Sequence, residues 1–242
     1  MLRRFNLFRA CTAQAPKARE PIVWVFWDCD GTLFNIPLSS LEKEQFAKLE
    51  HLTEIVDRTG FSIFMIYLAK TQEVFKALLG MPNVKIAFIT SATYDIGTLY
   101  FLERSLELGH NALKGSVFVN RYIFENINRK GEKLQNFIRT GMIGPQDHVL
   151  LVDNLQYQVD SAIACGFEAI LAEGYCEEYL AHGDTILYHP NDRYLSRVLE
   201  LVHSKLQEIT QLKNAKELGF VVEPFRVRKS QGQRIVVRPE LI

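Results

Sequence analysis

Three largely apolar runs, each closed by a polar residue, organise this chain. Ile22-Val23-Trp24-Val25-Phe26-Trp27 closes on Asp28, Val84 to Ile89 closes on Thr90, and Val149-Leu150-Leu151-Val152 closes on Asp153. Runs rich in β-branched and aromatic residues without alternation suit strands covered on both faces, as in a parallel sheet. Helical spacing lies between them. Ser39 or Ser40 caps a helix expected over 41–58, which Gly60 stops, and a second helix over 62–79 stops at Gly80. Further helices are expected over 96–108, 131–139 and 155–165, a strand over 168–172, and a long amphipathic helix over 192–217. Val117-Phe118-Val119 and Tyr122-Ile123-Phe124 flank Asn120-Arg121 and read as a β-hairpin.

Strands alternating with helices predict an α/β fold, a doubly wound parallel sheet with right-handed crossovers. Ligands in such sheets sit at the carboxyl ends of the strands, where Asp28, Thr90 and Asp153 converge. The pattern divides the chain into a leader over 1–20, a domain over 21–220 and a tail over 221–242.

Charge alters the picture only at the ends. Lys plus Arg and Asp plus Glu each number 28, so no net field selects nucleic acid, and none is expected as a partner. The leader carries Arg3, Arg4, Arg9, Lys17 and Arg19 against Glu20. The tail carries Arg226, Arg228, Lys229, Arg234 and Arg238 against Glu223 and Glu240. These basic ends are candidates for weak peripheral contact with an anionic membrane, against two blander readings of the tail: a solvated segment or a packed terminal strand. The longest apolar stretch, Phe61 to Ala69, is far short of the about 20 residues a bilayer requires. Cys11, Cys29, Cys165 and Cys176 form no CxxC pair and read as free thiols.

The chemistry concentrates in Asp28-Cys29-Asp30-Gly31-Thr32-Leu33. A chance D-x-D-G-T-L/V match in a chain of this length has odds on the order of 10⁻³. Two carboxylates two residues apart can face one pocket if Gly31 lets the chain turn. One can act as a nucleophile and the other as an acid and base. Together they repel a phosphate dianion, so a cation is required, and magnesium prefers carboxylates, phosphate oxygens and water.

In these residues the chain resembles the haloacid dehalogenase-like (HAD) phosphatase superfamily. The first signature is the strand and D-x-D-G-T-L of 22–33. The second is Ile86-Ala87-Phe88-Ile89-Thr90, the third Asn128-Arg129-Lys130-Gly131, and the fourth Val149-Leu150-Leu151-Val152-Asp153-Asn154. The resemblance, over residues 21–190, implies a magnesium-dependent phosphomonoester hydrolase with an aspartyl-phosphate intermediate. It implies Asp28 as nucleophile and metal ligand, and Asp30 as acid/base with its carbonyl on the metal. Thr90, with Ser91, and Lys130 would bind phosphate, and Asp153 and Asn154 would complete the metal site. Lys133 is the alternative to Lys130. The chain departs from the pattern in the fourth signature, where Asn154 and Gln158 stand in place of further acids. That departure predicts weaker magnesium binding and leaves open a catalytically weak binding protein.

A small helical cap is expected around 34–60, with the hairpin as a second insertion. An open site favours a phosphoprotein over a small phosphomonoester. Lys130-Gly131-Glu132-Lys133-Leu134, Asp153-Asn154 and Glu173-Gly174-Tyr175 are similar to a subgroup known mainly from intracellular bacterial pathogens. Some of its members are injected effectors that dephosphorylate protein tyrosines. The resemblance implies a protein tyrosine phosphatase, cytoplasmic in the producing cell and secreted into a host, with a small-metabolite phosphatase as the alternative. The oligomeric state is left open.

Overall fold

The computed structural model describes residues 19–34, 55–56, 62–63, 65–90, 96–121, 123, 127–172 and 191–217. Its centre is a five-stranded, all-parallel sheet. In chain order the strands and helices are β1 (Val23–Trp27), β2 (Ile55–Val56), β3 (Ser62–Ile63), α1 (Leu68–Gly80), β4 (Val84–Ile89) and α2 (Ile96–Ser105). Then follow β5 (Val117–Val119), α3 (Lys130–Arg139), β6 (His148–Asp153), α4 (Gln156–Ala164), β7 (Glu168–Leu171) and α5 (Arg193–Glu217). The strand order is β5-β4-β1-β6-β7, an α/β doubly wound arrangement. Two compact units are distinguished, residues 1–206 and 207–242, and the described part of the second is the end of α5.

The register explains why the polar residues meet. Trp27 pairs with Phe88 on one side and Val152 on the other. Asp28 therefore stands level with Asp153, and Thr90 lies one position past that level on the flanking strand. After β5 the chain returns to the opposite side of β1, so Asp28 and Asp153 border the point where the winding reverses, the usual ligand crevice of such sheets.

Both faces of the sheet are covered, as the unalternated runs require. Trp24 and Phe26 point to one side with Leu134, Phe137 and Leu151, and Phe26 stacks on Phe137 at 6.3 Å. Trp27 points to the other side and meets Phe75 of α1 at 5.1 Å. Each such fully buried side chain contributes about 1.5–3 kcal/mol of transfer free energy. At the amino ends of β1 and β6, Asp147 accepts hydrogen bonds from the Ile22 and Gly144 N–H groups, Trp24 Nε1 and Arg19. Burial alone would raise its pKa, but these donors hold it below the usual carboxylate value.

Three expectations change. Ile55–Val56 and Ser62–Ile63 form a two-stranded antiparallel ribbon, not the end of one helix and the start of the next. Ile55, Val56 and Ile63 are β-branched and favour extended backbone. α1 accordingly begins at Leu68. Val117–Val119 joins the main sheet as a parallel edge strand beside Ala87 to Ile89. Tyr122 and Phe124, which the second half of the expected hairpin needs, lie outside the described residues, as do most of the expected cap, the tail and nearly all of the leader.

Candidate active site

The loop after β1 is folded by its own backbone. Leu33 and Phe34 N–H donate to the Cys29 carbonyl at 2.8 and 3.0 Å, and Gly31 N–H donates to the Phe34 carbonyl at 2.8 Å. Gly31 adopts φ 74°, and a Cβ there would overlap the side-chain amide of Asn154. Glycine is required on both counts. Cys29 is fully buried. Burial, and then the Asp28 and Asp30 charges, push its thiol pKa well up, so it is no nucleophile. Cys29 and Cys165 are free thiols, as expected; Cys11 and Cys176 lie outside the described residues.

Lys130 joins the two strands that border the crevice. Its ammonium pairs with Asp28 Oδ1 and, at 2.6 Å, with Asp153 Oδ2. All three residues are buried, at 5%, 0% and 2% exposure for Asp28, Asp153 and Lys130. The second oxygens are also engaged. Thr32 Oγ1 donates to Asp28 Oδ2 at 3.2 Å, and Leu155 N–H donates to Asp153 Oδ1 at 2.9 Å. Asp153 thus holds the start of α4 as well as Lys130.

Charge in this cluster is unbalanced. Burial, the largest influence, raises the Asp28 carboxyl to about 7; Lys130 opposes this, while Asp153 and Asp30 add to it. Burial would lower the Lys130 pKa, but the charges of Asp28 and Asp153 more than reverse this, and the ammonium stays protonated. With every group ionised, two carboxylates share one ammonium, and the Asp30 charge adds to the load on Asp28. Among the described residues, His, Cys, Asp and Glu side chains form no ready-made group of three that could hold a metal. The expected set of Asp28, Asp30, Asp153 and Asn154 is therefore not assembled as a cage, because Lys130 draws Asp28 and Asp153 to itself and Asn154 Oδ1 faces Thr32 Oγ1 at 3.5 Å. The donor chemistry nevertheless fits magnesium: hard oxygens, with two carboxylates sharing a single ammonium.

Thr90 is buried at the end of β4, and its N–H donates to the Val119 carbonyl at 2.9 Å. Ser91 lies outside the described residues. Three supporting residues have roles that the sequence reading did not assign. Gln158 figures there only as the lack of an acid. It is fully buried, accepts the Lys130 N–H at 2.8 Å through Oε1, and donates from Nε2 to the Asn128 carbonyl at 3.2 Å. It fixes the segment that carries Lys130. Gly131 lets α3 approach α4, since a Cβ there would overlap the Ser161 carbonyl. Tyr194, from the first turn of α5, donates its hydroxyl to the Thr32 carbonyl at 3.4 Å. Gly131 and Gln158 stand at fixed offsets from the motifs and could have been signalled by them, whereas Tyr194 could not.

No family model matches the sequence, and no curated protein matches it. Solved structures do. A haloacid dehalogenase-like hydrolase from Streptococcus pneumoniae is 12% identical with TM-score 0.41, over 75% of this chain and 98% of its own. The Legionella pneumophila effector Ceg4 is 12% identical with TM-score 0.44, over 77% and 97%. A HAD family hydrolase from Deinococcus radiodurans, solved with bound phosphate and sodium, is 15% identical with TM-score 0.34, over 63% and 80%. Two of these three similar structures are thus hydrolases of haloacid dehalogenase type, and the third is a bacterial effector.

Proposed function

We propose that this protein is a phosphomonoester hydrolase of the haloacid dehalogenase type, with Asp28 as its covalent nucleophile. The observation that carries the reading is the buried Asp28–Lys130–Asp153 bridge at the carboxyl ends of adjacent parallel strands. The strand motif before it, Asp28-Cys29-Asp30-Gly31-Thr32-Leu33, supports the same chemistry.

In the first step a carboxylate oxygen of Asp28 forms a bond to phosphorus as the ester P–O bond breaks. Asp30 gives its proton to the departing oxygen. In the second step water attacks phosphorus, its proton passes to Asp30, and the Asp28 carboxylate is released with inorganic phosphate. Lys130 keeps the nucleophile oriented and offsets charge on the phosphoryl oxygens. Thr32 steadies the other Asp28 oxygen, and Thr90 with Ser91 would hydrogen-bond the phosphoryl group. Asp28, the Asp30 carbonyl, Asp153 and Asn154 would hold magnesium, which when bound offsets the charge of the transferring group.

For the substrate class we favour phosphotyrosine on protein, on the sequence resemblance around Lys130–Leu134 and Glu173–Tyr175, with small phosphomonoesters as the alternative. A panel of tyrosine phosphopeptides and phosphorylated metabolites, assayed with magnesium, tests this. A preference in kcat/KM for the peptides supports it, and a preference for metabolites overturns it. The Asn154 departure supports a second reading, a binding protein with little turnover. Absence of magnesium-dependent aryl phosphate hydrolysis would favour that one.

A further inference from the structure

Thr32 serves two residues of the site at once. Its Oγ1 donates to Asp28 Oδ2 at 3.2 Å and accepts the Asn154 N–H at 3.0 Å. It therefore sets the second oxygen of the nucleophile and the residue after Asp153 together. A threonine side chain has few χ1 choices, and those open to it depend on its backbone angles. The aim of this hydroxyl is fixed by whatever fixes the Thr32 peptide.

That peptide is held from a distant part of the chain. Tyr194 is buried, and its hydroxyl donates to the Thr32 carbonyl at 3.4 Å. The bond is long, so packing must keep the ring in place, and Tyr67 supplies it: the two ring centroids lie 6.3 Å apart. Tyr67 is fastened in turn. Its hydroxyl accepts the Asn191 N–H at 3.0 Å, just before α5, and its carbonyl accepts the Thr71 N–H at 2.9 Å. The preceding residue, Ile66, donates its N–H to the Leu33 carbonyl at 2.8 Å, and the Ile66 carbonyl accepts Thr71 Oγ1 at 2.9 Å. Between these anchors Tyr67 takes φ 48°, a left-handed conformation uncommon for a bulky residue. Such conformations persist where the surroundings over-determine them. The catalytic loop, the start of α1 and the start of α5 thus meet at one tyrosine pair.

We propose that Tyr194 is a positioning residue for the phosphoryl transfer, acting through the Thr32 peptide to aim Oγ1 at Asp28, with Tyr67 seating it. The proposal rests on the phosphatase reading for its kinetic consequence, but not for the effect on Thr32. Without the Tyr194 hydroxyl the Thr32 peptide is free to tilt. Asp28 Oδ2 and the Asn154 N–H then lose their shared partner part of the time, while Asp28 Oδ1 stays on Lys130. Substrate binds as before, and attack on phosphorus is slower.

The test uses the full chain with Tyr194→Phe, which keeps the ring and removes only the hydroxyl, with Thr32→Val, and with the double variant. In single-turnover hydrolysis of nitrophenyl phosphate with magnesium, Tyr194→Phe should slow the maximal rate about fivefold or more, the worth of one ordinary hydrogen bond. The substrate concentration at half-maximal rate should stay within about twofold. In the Thr32→Val background the same change should slow the rate by less than about twofold, because the hydroxyl that Tyr194 aims is gone. Amide exchange gives a readout free of turnover. In Tyr194→Phe the Asn154 N–H should exchange about fivefold or more faster, while Phe26 and Leu151 in the central strands keep their rates within about twofold. A single-turnover rate within about twofold of wild type in Tyr194→Phe, or an equal loss with and without the Thr32 hydroxyl, would overturn the proposal. So would exchange that rises equally at Asn154, Phe26 and Leu151, since that marks general loosening of the fold. If the wild type turns over no ester, the phosphatase reading fails and exchange alone decides. A rise confined to Asn154 then upholds the hold of Tyr194 on Thr32, and an unchanged rate there overturns it.

Discussion

Replacing Asp28 with asparagine should make the metal-free protein more stable, and increasingly so as pH rises. Asp28 is buried against Asp153 and Asp30 charge, with one ammonium to offset them, and its carboxyl is raised from 3.8 to about 7. That rise means the ionised form costs about 4 kcal/mol in the folded chain, as an upper figure. The sign follows from proton binding. Between 3.8 and about 7 the folded state holds a proton that the unfolded state has released, so wild-type stability falls as pH increases through this window. The amide introduced by Asp28→Asn keeps the shape, accepts from Lys130 and cannot ionise, so the variant escapes the loss. Urea unfolding in chelator should show the gap between variant and wild type opening by about 2–3 kcal/mol from about pH 5 to about pH 8. In a domain of this size the variant should melt roughly 4–10 °C higher at the alkaline end. Magnesium should then raise the wild type more than the variant, because it binds the native carboxylate. A variant less stable than wild type at about pH 8, or a gap that does not change with pH, would refute the cost assigned to ionising the buried Asp28.

Four further outcomes are expected. Aryl phosphate hydrolysis should cease in EDTA and return with magnesium in a steady-state assay. Gly31→Ala should lower both stability, by more than about 1 kcal/mol in urea unfolding, and activity, because φ 74° and the Asn154 amide both oppose a Cβ. Lys130→Met leaves Asp28 and Asp153 buried without their shared cation and should cost about 3–5 kcal/mol in the same measurement. Gln158→Leu should reduce kcat more than it raises KM, since it frees the segment that carries Lys130 without touching substrate.

Strand ends were the legible part of the site. A run such as Ile22 to Trp27 announces a strand covered on both faces, and a carboxylate at its end has few structural reasons to be there. The parallel register then brings Asp28 and Asp153 level, which the sequence could imply but not measure. Lys130 was legible only through its place before a helix, and its bridge to both acids required coordinates. Gln158 is easily misread because an amide in place of an acid looks like a loss, whereas its two-sided hydrogen bonding to Lys130 N–H and the Asn128 carbonyl needs an amide. The ribbon of Ile55–Val56 and Ser62–Ile63 is hidden inside segments of helical spacing, since strands of two residues are too short to display a period. Tyr194 lies 162 residues from Thr32, and no local pattern links them.

The central claim, covalent catalysis by Asp28, is tested most directly by trapping the enzyme in turnover. Wild type and Asp28→Asn are mixed with excess aryl phosphate and magnesium, quenched in acid within the first turnover, digested and mapped by mass spectrometry. A phosphoryl adduct on Asp28 is expected in the wild type and none in the variant, with hydrolysis by the variant lower by several orders of magnitude. Full wild-type turnover with no adduct on Asp28, together with variant activity within about tenfold of wild type, would contradict it.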